Sequence, residues 1–291
     1  MAGERTRYLV AGAGGMLGTE LAGLLAEDGV RSLTRSDLDL GDEGAVTDAV
    51  STADIVINCA AYTAVDAAES HEEEATFVNA RIPQLLARAA ARTGATLVQI
   101  STDYVFAGDA TTPYAESTPR APVNAYGRSK AEGERLALEA HPGGTHIVRT
   151  AWLYGRHGGN FPRTMLRLAG DRETLSVVDD QRGQPTWTLD LARQIRRIVE
   201  SGEPSGVWHA TSTGEATWFS FARELFTLAG LDPERIRPTT SAAFPTPARR
   251  PAYSVLGHDA WAAHGIAAPR DWRPALREAV EAGTFDDELP R

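Results

Sequence analysis

A doubly wound parallel α/β sheet with a smaller C-terminal lobe is the architecture this sequence predicts. Three observations carry it. A glycine-rich turn joins the first apolar run to the first helical pattern. Short apolar runs alternate with helical patterns through the first half. After about residue 155 the alternation gives way to mixed helix, strand and loop signals. At 291 residues the chain lies at the upper edge of single-domain size. The expected division is a dinucleotide-binding region over 1–155 and a mainly substrate-binding lobe over 156–291, with an amphipathic helix near 188–201 packing back on the sheet.

The first element is the apolar run "RYLVAG", followed by "MLGTELAGLLAEDG", which has helical spacing and a terminal Gly29. Between them Gly12, Gly15 and Gly18 stand in a G-x-x-G-x-x-G pattern. Glycines there allow a sharp turn and close approach of backbone to a pyrophosphate, and the helix N-terminus adds free N–H groups and a positive dipole end. The expectation is a Rossmann-type dinucleotide site; a plain flexible turn is the competing reading. Where the second strand should end, "SLTRSDLDL" offers Arg35. An arginine at that place suits a ribose 2′-phosphate, whereas a carboxylate suits a 2′-hydroxyl, so NADPH is favoured, with NADH as the alternative. A solvated surface charge is the competing reading of Arg35.

"DIVINCAA" and "TLVQIS" read as further buried strands, separated by one long helix region, "EEEATFVNARIPQLLARAAARTG", that contains Pro83. "THIVRTAWLYG" is the next strand. Farther on, "TLDLARQIRRIVESG" is amphipathic, "GVWHATS" and "WFSFARELFTLAGL" give a strand and a helix, and "PTTSAAFPTPARRPAYSVL" reads as an ordered loop.

Composition narrows the function. Hydrophobic content of 42% and 23% charged residues are those of a globular protein, and a net charge of −10 argues against a nucleic-acid partner. The single cysteine, Cys59, fits a reducing compartment. With no apolar run of about 18 residues, a cytoplasmic protein without a membrane partner is expected.

Of the 29 basic residues, Lys130 alone is a lysine and the rest are arginines. In a chain so biased, its survival calls for a reason. Tyr126 lies four residues earlier, so on a helix the two share a face. A phenol has an ordinary pKa of about 10. A neighbouring ammonium favours the phenolate, and arginine's planar fork does not replace a compact point charge. The expected chemistry is a proton relay through Tyr126, supported by Lys130. "VQISTDYVFAG" adds Ser101, Thr102, Asp103 and Tyr104 at a strand end, where Thr102 is placed to hydrogen-bond a reacting carbonyl oxygen.

These residues resemble the extended short-chain dehydrogenase/reductase superfamily. The segments "NCAAYTAVDAAE", "STDYVFAG", "YGRSKAEGE", "RTAWLYG", "GNFPRTMLRLA", "DDQRGQPTW" and "PTPARRP" resemble, more narrowly, the dTDP-4-dehydrorhamnose reductase family, in order over about residues 7–280. The resemblance implies reduction of the C4 ketone of a dTDP-6-deoxy-L-hexulose by NADPH or NADH. It implies Tyr126 as proton donor, Lys130 as its support and Thr102 as hydroxyl partner. Asp103, Tyr104 and Trp152 would meet the sugar. Gly15, Met16 and Leu17 would cradle the pyrophosphate, Arg35, Asp39 and Leu40 would hold the adenosine end, and Ala60, Ala61, Tyr62 and Thr63 would line the cofactor. Asn160, Phe161 and Arg249 or Arg250 fall in motifs that would contact the nucleotide-sugar; Trp152 as a core residue and Arg250 as a loop brace are the competing readings.

Two departures stand out. Tyr62 stands where many relatives have histidine. Some relatives dimerise around a divalent metal held by glutamates, one of them just after "QPT"; here "WTLDLA" follows. No such metal site and a monomer are expected. Two other functions compete: a 4-ketoreductase making a dTDP-deoxysugar for a secondary metabolite, and a non-catalytic regulatory subunit on the same fold.

Overall fold

The computed structural model describes residues 6–289. A six-stranded parallel sheet forms its centre, built from β1 (Tyr8–Ala11), β2 (Arg31–Leu33), β3 (Ile55–Asn58), β4 (Thr96–Thr102), β5 (Thr145–Thr150) and the strand Gly206–His209. Across the sheet the order is Gly206–His209, β5, β4, β3, β1, β2. From β1 the chain goes to one side for β2 and to the other for β3. A crevice opens at such a reversal, beyond the carboxyl ends of the strands.

β1 and β3 are buried along their whole length and are nearly all apolar, as strands covered on both faces must be. On one face, helix α1 (Met16–Leu24) packs Leu17 and Leu21 with Leu191, Ile195 and Ile198 of the helix Thr188–Glu200. On the other, Val46, Leu86 and Ala90 close over Leu9, Val56 and Leu97. A separate apolar cluster holds the later part together: Tyr154, Leu166, Phe221, Phe226 and Trp272 are all buried there. The doubly wound parallel sheet expected from the alternation is therefore present.

Three elements differ in detail from the sequence expectation. β2 ends at Leu33, two residues before Arg35, because Thr34 turns the chain: Asp37 accepts hydrogen bonds from its N–H (2.8 Å) and hydroxyl (2.6 Å). The long helix region is continuous but changes pitch, from the helix Glu72–Thr76 through a π-helical turn Phe77–Arg81 to the helix Ile82–Thr93. Pro83 has no N–H to give to the carbonyl of Asn79, which removes one α-helical rung at that turn. Residues Pro238 and Thr239, expected in a loop, end the strand Ile236–Thr239, which pairs in parallel with Leu175–Val178. A proline is tolerated there because the ladder has only two strands and both are edges.

Candidate functional site

The turn after β1 is shaped to hold an anion. Gly12 has a left-handed φ of 77°, and a Cβ there would lie 2.5 Å from the backbone nitrogen of Ala60. A Cβ on Gly18 would lie 2.3 Å from the carbonyl oxygen of Gly12, so the helix seats on the turn only without a side chain. Gly15 is the N-cap of α1, Met16 and Leu17 begin it, and its first turn carries neither a side-chain cap nor an acidic residue. Its N–H groups are thus available to a pyrophosphate.

Other residues expected around a dinucleotide border this turn. Ala60 donates its N–H to Asn58 (3.1 Å), and Ala61 and Tyr62 are half-buried beyond it, with Thr63 exposed. Arg35 is exposed in the turn that follows β2, Asp39 accepts from the N–H of Gly41 (2.8 Å), and Leu40 packs against the apolar cluster below.

The helix Ala125–Ala140 carries Tyr126 and Lys130. Asn124 caps it by accepting from the N–H of Gly127 (2.7 Å), and Glu69 accepts from the N–H of Ala125 (2.8 Å). Its small residues allow close packing: a Cβ on Gly133 would lie 2.0 Å from the carbonyl oxygen of Asn79. Asn79 in turn clamps the backbone of Tyr62, accepting from its N–H (2.8 Å) and donating to its carbonyl (3.0 Å), and donates to Ser129 (2.9 Å). Sequence reasoning missed Asn79; a polar residue on an otherwise apolar helical stretch, four before a proline, was its only signal.

β4 delivers the remaining groups. Thr102 donates to Asp103 (2.9 Å), accepts from the N–H of Tyr104 (3.2 Å) and acts on the nearby phenol of Tyr126. Burial pushes the Tyr126 phenol up to about 12; the Thr102 hydroxyl opposes this and the Asp103 charge adds to it. The acidification by Lys130 expected from sequence is absent, because the ammonium is turned away to the carbonyl of Ile100 (2.7 Å) and burial dominates. Burial also lowers Lys130 to about 8 against the pull of Glu134 and Cys59. Asp103 is raised to about 6 by burial, opposed by the nearby Ser254 hydroxyl and by the hydrogen bond from Thr102, and its Oδ2 has no partner within hydrogen-bond distance. Tyr104 meets Tyr126 edge to face, ring centroids 5.6 Å apart.

A cavity of about 730 Å³ lies beyond this cluster, walled by Gly108, Phe161, Val177, Trp218, Arg249 and Arg250 among others, but not by Thr102, Tyr126 or Lys130. Trp152 follows β5 with a φ of 45°, rare for a side-chain-bearing residue. Its ring stacks face to face on Trp218, centroids 3.6 Å apart, and packs on Gly183, where any Cβ would strike it. It is half-buried, neither core nor free platform. Phe161 leans on the same Trp218 at 4.7 Å. Asn160 spends its side chain on capping the helix Phe161–Asp171 and on the carbonyl of Gly155 (2.9 Å). Arg249 is exposed, while Arg250 pairs with Asp66 at 2.8 Å and so braces its loop. Among the described residues no group of three His, Cys, Asp or Glu is arranged to hold a metal ion, and no helix is long and apolar enough to cross a membrane.

Comparison with known proteins gives the family. Residues 6–285 match the family described as RmlD substrate binding domain. A probable dTDP-4,6-dihydroxy-2-methyloxan-3-one 4-ketoreductase of Streptomyces antibioticus is 53% identical, covering 94% of each chain. The dTDP-4-dehydrorhamnose reductase of Streptomyces griseus is 49% identical over 96% of this chain and 94% of its own. Among solved structures, the dTDP-4-dehydrorhamnose reductase of Bacillus anthracis in complex with NADP superposes with a TM-score of 0.92, at 37% identity, covering 96% of this chain and all of that one. The chain belongs to the RmlD family, that of the dTDP-4-dehydrorhamnose reductases.

Proposed function

We propose that the protein reduces the C4 ketone of a dTDP-4-dehydro-6-deoxy-L-hexose with NADPH, converting dTDP-4-dehydro-L-rhamnose to dTDP-L-rhamnose. The single observation that carries this is the only lysine of the chain, buried one helical turn from Tyr126 on the helix Ala125–Ala140 and bonded to β4 two residues before Thr102, at the carboxyl edge of a parallel sheet. When bound, the nicotinamide supplies a hydride. The chain's own residues do the rest. Thr102 and Tyr126 hold the carbonyl oxygen between two hydroxyls, and Tyr126 gives it a proton as negative charge grows there. Lys130, one helical turn on, is the fitting donor to the ribose hydroxyls. The unpartnered Oδ2 of Asp103 is a fitting acceptor for a sugar hydroxyl.

In this reading residues 1–155 hold the dinucleotide and 156–291 mainly the nucleotide-sugar, with Phe161 and Trp218 against the base and Arg249 or Arg250 near the diphosphate. Arg35 suits the 2′-phosphate of NADPH better than NADH, being a free, exposed guanidinium beyond β2. The cytoplasm, where both nucleotides are made, is the fitting compartment.

The test is an assay of dTDP-4-keto-L-rhamnose beside its 2-deoxy and 3-deoxy analogues with NADPH. Preferred turnover of the fully hydroxylated sugar is expected. A large preference for a deoxy analogue would instead make the protein a 4-ketoreductase of a secondary-metabolite sugar, the chemistry named for the Streptomyces antibioticus relative.

A further inference from the structure

A second cavity, of about 620 Å³, adjoins the glycine turn and has no part in the chemistry described above. One wall is Gly14 and Thr19, at the start of α1. The other belongs to the later lobe: the loop 156–159 and the first two turns of the helix Phe161–Asp171, with Asp287 and Glu288 at the rim. The chain as a whole carries a net charge of −10, yet Arg156, Arg163 and Arg167 all line this one space, together with His157. Arg163 is spent on the fold. It pairs with Asp287 (2.8 Å) and Glu288 (3.2 Å), and it donates to the carbonyls of Arg156 (2.6 Å) and Thr284 (3.3 Å). Both carboxylates of the lining therefore lie on Arg163. Arg156 donates only to the carbonyl of Ala282 (2.9 Å) and feels Asp287 without an ion pair. Arg167 has neither a hydrogen bond nor an ion pair among the described residues.

The facing wall has the same sign. α1 starts at Gly15 with no side-chain cap and no acidic residue in its first turn, so its free N–H groups and dipole are positive there. The loop between the two walls is held in shape. Asn160 donates to the carbonyls of Gly155 (2.9 Å) and Gly158 (3.4 Å), and Arg163 holds that of Arg156. At Gly159 the backbone is not left-handed and a Cβ would meet nothing within 4 Å, so the packing of the chain does not ask for glycine. A ligand lying against the backbone would.

We propose that this cavity is a phosphate site, in which Arg156 and Arg167 of the later lobe grip an anion from the side opposite the N-terminus of α1. Guanidiniums make paired, charge-assisted bonds to phosphate oxygens, and the N–H groups of a helix start complete such a cradle. A phosphate held there bridges the sheet and the later lobe. The dinucleotide's own phosphates are the nearest source, an assignment that rests on the reductase reading above. A separate phosphate compound would use the same groups.

Arg156 and Arg167 are both exposed, so R156Q/R167Q should fold as the native protein does. The control R88Q/R277Q removes the same charge from exposed positions outside the cavity. Calorimetric titration with inorganic pyrophosphate and with NADPH, at low ionic strength, reads both sources. Pyrophosphate should bind the native protein and the control alike, and R156Q/R167Q about tenfold or more weakly. If the site holds the dinucleotide's phosphates, NADPH affinity falls with it and NADPH displaces pyrophosphate. If it holds a separate phosphate compound, NADPH affinity stays and pyrophosphate still binds the NADPH-saturated protein. Pyrophosphate and NADPH affinities that R156Q/R167Q leaves unchanged, or that the control lowers equally, overturn the proposal. A protein that binds pyrophosphate through these arginines but no nicotinamide dinucleotide sinks the reductase reading instead and leaves the phosphate site standing.

Discussion

At the scale of the residue, the chemistry depends on what burial does to three groups. The Tyr126 phenol sits above its ordinary pKa before any ligand binds, so it is a firm proton store and a reluctant phenolate. Tyr126→Phe is expected to lower kcat by about 10²–10⁴-fold while NADPH affinity, followed by fluorescence titration, changes little. Retained turnover would remove the phenol from the mechanism. Asp103 gives a prediction about stability. Its carboxyl is raised to about 6 in the folded protein, above its ordinary value, so the folded state binds the proton more tightly than the unfolded chain. The stability this contributes is full below the unfolded pKa and lost as pH rises through 6. Asp103→Asn, which stays uncharged, should therefore unfold at higher urea than the native protein at pH 7.5, by about 2–3 kcal/mol, and the gap should close toward pH 4. A gap independent of pH would show that Asp103 is not destabilised by ionisation. The lysine census and the i,i+4 spacing single out Tyr126 and Lys130 in the sequence, and the structure places both on one helix. Their electrostatics were not legible there, because the direction of a pKa shift depends on depth, and depth is set by Gly127, Gly133 and the strands packed over them.

At the scale of the element, the tyrosine–lysine helix is held by close approach. Gly133 touches the carbonyl of Asn79 in the π-helical turn, and Gly127 touches that of Tyr104. A methyl group on Gly133 cannot fit without separating the helix from that turn, and the obstacle is backbone. Gly133→Ala should cost about 1–3 kcal/mol or more by urea unfolding and loosen the Asn79 clamp on Tyr62. Gly170→Ala is the matched control: it lies on the helix Phe161–Asp171, and a Cβ there meets nothing within 4 Å. It should stabilise by about 0.4–1 kcal/mol. Equal effects from the two substitutions would mean that helix propensity, not contact, governs Gly133. Most strands and helices were readable from apolar runs and helical spacing. The π-helical turn was not, since Pro83 signals an irregularity without fixing its form. Neither was the early end of β2, which depends on Asp37 reaching back to Thr34.

At the scale of the whole molecule, the apolar clusters on the two faces of the sheet and the separate cluster of the later lobe share one chain, and at the carboxyl edge of the sheet Trp152 leaves β5 in a left-handed conformation to stack on Trp218 of that lobe. Asn124 and Asp66 tie the other side of the cleft together, the first to the carbonyl of Arg249 (2.9 Å) and the second to the guanidinium of Arg250 (2.8 Å). Both ties escape sequence reasoning because they join residues more than a hundred positions apart. The same distance argument bears on assembly. The first carboxylate after "QPT" is Asp190, and its side chain is 8% exposed and already held by Arg270 at 2.7 and 3.0 Å and by Arg193 at 3.3 Å. Releasing it to a metal shared between subunits would leave Arg270 and Arg193 without that partner and would draw a buried carboxylate to the surface. A monomer follows. Equilibrium sedimentation should give a mass near 31.2 kDa that neither magnesium nor EDTA alters. A dimer that a chelator dissociates would show that carboxylates other than Asp190 assemble such a site between two copies.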